Sequence, residues 1–72
     1  MRMWKYIEPR DPEHGDWSAV TIHVSDAWIL EHYWPWWKGE LERLGRQHLI
    51  SEEHCIEDFV TVNWAERDYE YE

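Results

Sequence analysis

The sequence predicts an α+β fold: a three-stranded, at least partly antiparallel sheet with a kinked Trp-rich helix and a second short helix on one face, in the order β-β-α-α-β. Three observations predict it. Residues 3–8 and 17–24 alternate large apolar side chains with smaller or polar ones, the period of a strand. Residues 26–44 place Leu30, Trp34, Trp37, Leu41 and Leu44 three or four positions apart, the period of a helix. Seven tryptophans supply large apolar surface to a chain whose single cysteine, Cys55, forbids an internal disulfide.

The first strand is MWKYIE, Met3–Glu8, which Pro9 is expected to end. The following PRDPEHGD is loop chemistry, rich in proline, glycine and charge. In WSAVTIHV, Val20, Ile22 and Val24 share one face, and Trp17, Ala19, Thr21 and His23 the other. Ser25 is a good N-cap and Asp26 suits the positive end of a helix dipole. Pro35 lacks an N–H for the carbonyl of Glu31 and predicts a kink, or a division into helices near 26–33 and 35–44. Gly45 suits the position just past the helix end. Ser51 caps a short helix, with Glu52 and Glu53 in its first turn and Cys55, Ile56 and Phe59 facing inward. FVTVNWA, 59–65, reads as the third strand because it is rich in β-branched and aromatic residues. Residues 1–66 form one domain. The 67–72 stretch reads as a solvated acidic tail.

A core must come from large side chains, since usual cysteine-rich zinc sites are also excluded. Each aromatic ring brings roughly 150–250 Å² of burial. Trp34 and Trp37, with Trp4, Trp17 and Trp64 on the strands, are expected to provide it. A single sheet covers only one face of the 26–44 helix. Trp28 lies opposite the apolar stripe and Trp36 at its edge, so these two are the candidates for partner contact.

The formal charge is −9, from 16 acidic and 7 basic side chains. That excess opposes direct binding of nucleic acid or anionic membranes and favours a partner with a basic surface. Glu52, Glu53, Glu57, Asp58, Glu66 and Asp68 are the candidate acidic contacts. No apolar run reaches the roughly 20 residues of a membrane span, and MRMWKYIEPRD carries no apolar core of a secretion signal. With one free thiol, a cytoplasmic location is expected. Five histidines show no His-x-x-x-His spacing, so no metal or other cofactor is expected. Glycines 15, 39 and 45 are scattered and make no phosphate loop. No catalytic residue is assigned, and the chain is read as a non-enzyme.

The stretch from Trp37 to Ala65, with Gly45, LISEEHCIEDFV and VNWA, resembles short reading frames of tailed bacteriophages and prophages. In those, a Trp-rich helix precedes an Ile-Ser/Thr-Glu-Glu helix and a Val-rich strand ending in an aromatic. The resemblance implies an accessory protein acting in a bacterial host cytoplasm, of the kind that inhibits host defence or modulates host enzymes. The leading expectation is a binding protein that inhibits or redirects a host nucleic-acid-handling or defence protein. The alternative is a homodimer that associates through its Trp-rich helix and serves in assembly.

Overall fold

The computed structural model describes residues 1–72. Strand β1 (Met3–Asp11) and strand β2 (Asp16–Ser25) form an antiparallel hairpin closed by a 3-10 turn at Pro12–His14. Helices α1 (Asp26–His32), α2 (Trp34–Arg43) and α3 (Glu52–Asn63) follow, and strand β3 (Glu66–Arg67) returns to the sheet. The strand order is β2-β1-β3, all antiparallel, with the first strand in the middle. The predicted α+β class and three-stranded sheet are therefore present, although two element assignments differ.

The first difference is Pro9, which does not end β1 but pairs with Ala19 inside it. The peptide directions explain this. The Arg2 carbonyl accepts from Asp26 N–H on the β2 side, and the Met3 carbonyl accepts from Asp68 N–H on the opposite side. Backbone groups alternate with a period of two, so the odd residues of β1 point away from β2. Pro9 is odd, and its missing N–H falls where no strand needs it, as edge prolines require.

The second is the third strand. FVTV continues α3, and β3 is only Glu66–Arg67. Ser51 accepts from His54 N–H at 3.2 Å and starts the helix. Cys55, Ile56 and Phe59 then occupy one inward stripe and are buried. That packing outweighs the β-propensity of Val60, Thr61 and Val62. The helix ends in a Schellman motif: Trp64 N–H donates to Thr61 O, and Ala65 N–H to Val60 O at 2.9 Å. Trp64 holds the left-handed conformation this end requires, φ 56° and ψ 36°.

The Trp-rich segment divides into two helices. Tyr33 stands between them with helical dihedrals, and Pro35 takes a first-turn position of α2, where a missing N–H costs nothing. Tyr33 N–H still reaches Ile29 O at 2.8 Å and Trp37 N–H reaches Tyr33 O at 3.0 Å, so one turn is opened rather than a whole joint.

Val24, Ile29, Trp37, Cys55, Ile56 and Phe59 form the core, flanked by Trp4, Tyr6, Ile22, Tyr33 and Trp34. Trp4, Tyr6, Ile22 and Val24 belong to one sheet face, so the helices cover that face. Trp4 Nε1 donates to Asp26 Oδ1 at 2.7 Å, and Arg2 Nε to Asp26 Oδ2 at 2.7 Å, fixing the start of α1 to the start of β1. Trp17 and Trp64 were expected in the core and are not: Trp17 is 70% and Trp64 89% exposed. The hairpin projects past the helices, and its register shifts beside Trp17, between the Pro9 and Asp11 pairings. Trp64 lies past the end of α3 rather than on a strand.

Candidate interaction surfaces

The apolar stripe of α3 fixes where its acids lie. At about 100° per residue, a helix whose Cys55, Ile56 and Phe59 face inward turns Glu57 and Asp58 to opposite flanks of its outer surface. Glu52, Glu53, Glu57 and Asp58 are all exposed. Glu53 takes a hydrogen bond from Arg2 Nη2 at 2.8 Å. On the other flank, Asp58 accepts from the Tyr33 hydroxyl at 2.6 Å. Burial first, then Asp58 as hydrogen-bond partner and as charge, raises the pKa of the Tyr33 phenol, so this hydroxyl remains a donor.

Tyr33 links the acids to the exposed ring of α2. Its ring centroid lies 5.6 Å from Trp36, which is 60% exposed. Trp28 is 38% exposed; it lies over His32 at 4.7 Å and edge-on to Phe59 at 6.0 Å. Phe59 in turn meets Tyr33 at 5.3 Å. The structure thus gathers Trp36, Tyr33 and Asp58 at one site, with Trp28 adjoining through Phe59, and Val62 exposed one helical turn after Asp58.

The last two predicted acids lie elsewhere. Glu66 is exposed and pairs across from Lys5 on β1. Asp68 is not a surface acid at all, being 1% exposed. Its Oδ2 lies 2.6 Å from His23 Nδ1, and its Oδ1 is buried without a hydrogen-bond partner. The expected solvated tail is instead a folded segment. Asp68 N–H donates to Met3 O, a 3-10 turn spans Tyr69–Tyr71, and the Tyr71 ring lies 4.1 Å from His23. Glu72 is held by Arg67 and by Met3 N–H. These bonds hold Glu72 below the usual carboxylate range, Arg67 contributing most. ERDYEYE reads as a tail because its composition is polar; only the matching of Asp68 to His23, 45 residues earlier, gives it a place.

Sequence reasoning identified the sheet face opposite the helices but not the cleft on it. Ile7, Thr21 and His23 line an open cleft of about 530 Å³ there, walled by Trp64, Glu66 and Tyr71. The strand alternation had already put Thr21 and His23 opposite Val20, Ile22 and Val24. With the helices expected on one face, the other is left open; what the alternation could not show is that Trp64, Glu66 and Tyr71 wall a cleft on it.

Cys55 is fully buried, and its thiol is pushed up to about 11 by burial and then by the charge of Asp58. It is a small apolar core residue rather than a nucleophile. No three His, Cys, Asp or Glu side chains come together as a metal-binding group. No helix is long and apolar enough to cross a membrane. Comparisons with protein-family models, with curated proteins and with solved structures return no match.

Proposed function

We propose that this chain is a non-catalytic binding protein that engages a basic surface on a partner protein, with Trp36 as anchor and the α3 acids as the charged rim. The observation that carries the reading is the chain Trp36–Tyr33–Asp58. An exposed indole lies against a tyrosine whose hydroxyl is held by a surface carboxylate. Aromatic anchors beside charge dominate many interfaces. The acids would act mainly on encounter rate and partner choice. Glu52, Glu57 and Asp58 retain exposed carboxylates for that role, while Glu53 is partly engaged by Arg2.

The partner class follows from the −9 charge together with the resemblance of the C-terminal half to phage accessory proteins. It is a host protein that handles nucleic acid or acts in defence, whose basic groove the acids would occupy in place of phosphates. The site of action would be the bacterial host cytoplasm.

The test is affinity capture from bacterial lysate at low salt, followed by titration of the purified captured protein. Trp36→Ala should weaken binding at least tenfold. Charge-neutral replacement of Glu52, Glu57 and Asp58 should slow association and flatten its salt dependence. Unchanged binding by both variants would remove this surface from the reaction.

A further inference from the structure

β2 is an edge strand, paired with β1 on one side only. Even-numbered residues of β2 point their backbone groups at β1, as Asp26 N–H does toward Arg2 O. By the same alternation, Ala19, Thr21 and His23 present N–H and C=O to open space. Trp17–Ser25, WSAVTIHVS, contains no acidic or basic side chain other than His23 and no proline or glycine, in a chain with 23 charged Asp, Glu, Lys and Arg residues. Sheet edges are ordinarily guarded by charge, proline or brevity. The other side of this sheet is guarded in those ways. β3 is two residues long, and Pro9 withholds a donor from the rest of that edge of β1.

The dimensions show surface left to bury. The accessible surface is 5386 Å², against about 4,900 Å² for an ordinary monomer of this mass. The radius of gyration is 13.9 Å, against about 11 Å for a compact chain of this length. The molecule is a slab of 39 × 31 × 17 Å. The excess of roughly 500 Å² approaches the 800 Å² that each side of a stable interface buries.

We infer that β2 pairs with β2 of a second copy of this chain, antiparallel about a two-fold axis at Thr21, to give a six-stranded sheet. The register follows from the exposed groups. Only pairings that set odd residues opposite odd residues bring donors to acceptors. Centring on Thr21 uses Ala19, Thr21 and His23 together, in about six hydrogen bonds. Thr21 then faces its own copy, a favourable cross-strand pair, and Ala19 faces His23. A two-fold contact uses the same strand on both copies. With the far edges guarded, association stops at the dimer. This pairing is independent of the Trp36 surface, and the two respond oppositely to salt. Screening should tighten the pairing of two chains of charge −9, and loosen attraction to a basic partner.

Sedimentation equilibrium from 1 to 200 μM, at low and at high salt, tests the inference. The expected mass is twice 9.0 kDa at the upper concentrations, with association at least several-fold weaker at low salt than at high salt. Thr21→Lys sets two ammonium groups face to face on the axis, and Thr21→Pro removes the outward N–H without touching the β1 ladder. Each should weaken the dimer at least tenfold while the far-UV circular dichroism of the monomer is kept. The amides of Ala19, Thr21 and His23 should exchange with solvent more slowly as concentration rises. A 9.0 kDa species throughout would overturn the inference. So would a dimer that survives both variants, or one that Trp36→Ala disrupts while the Thr21 variants do not.

Discussion

Replacing Trp64 by glycine should leave the protein about as stable as before, although a tryptophan is lost. The residue holds the left-handed conformation, φ 56°, at the end of α3. For a side chain with a Cβ that conformation costs about 1–2 kcal/mol, and glycine removes the cost. Against this, the ring is 89% exposed, so its removal forfeits only about 20 Å² of burial, or about 0.5 kcal/mol. Glycine also gives the unfolded chain about 0.5–1 kcal/mol of extra freedom. The net lies between about 0.5 kcal/mol lost and 1 kcal/mol gained. Trp64→Ala loses the same contact but keeps the strained backbone, so it should be less stable than Trp64→Gly by up to about 1.5 kcal/mol. Urea unfolding followed by far-UV circular dichroism measures both, and 1 kcal/mol corresponds to about 4–8 °C in Tm at this size. A loss above about 2 kcal/mol in the glycine variant, or an alanine variant more stable than the glycine one, would refute the reasoning.

Three further outcomes follow from the same geometry. Ser51→Ala removes the acceptor for His54 N–H and should cost about 1 kcal/mol in chemical denaturation, with earlier fraying of α3 in hydrogen exchange. The raised Cys55 pKa favours the protonated thiol of the folded state, so its contribution is complete below the unfolded thiol value and is lost as pH rises toward about 11. Tyr33, also raised, adds to this alkaline loss. Stability should fall between about pH 9 and 11, and alkylation of Cys55 at pH 8 should proceed only at the rate of opening; rapid labelling of the native protein would contradict its burial. His23→Ala leaves the buried Asp68 carboxylate without its one side-chain partner and should release residues 68–72 from the sheet, seen as faster amide exchange there. Unchanged exchange would mean that the Met3 and Arg67 contacts suffice.

The sequence carried its local signals well and its tertiary ones unevenly. Ser25 and Ser51 both cap helices as their residue types suggest, accepting from the N–H three positions on. Cys55, Ile56 and Phe59 were legible because their spacing repeats with the helix. The same spacing ran on through FVTV, where β-branched composition suggested a strand and packing of Phe59 on Tyr6 and Tyr33 held a helix. Trp36 was legible as an exposed ring because one sheet cannot surround a helix. Trp17 and Trp64 were not, since their surroundings depend on how far the hairpin projects and where α3 stops. Asp68 was the least legible of the acids. Its burial depends on His23, and no local pattern connects the two.

The placement of β1 in the middle of the sheet also bears on how the chain folds. Its pairing with β2 is local and closes through a short turn, so a hairpin can form early. Its pairing with Arg67 spans most of the described chain and must await the helices. High-separation contacts of that kind slow folding. During the interval the hairpin has two open edges rather than one, and the uncharged β2 strand is among them. The vulnerable species is therefore a half-built sheet, and aggregation during refolding should rise with protein concentration while the finished protein stays protected on its β3 side.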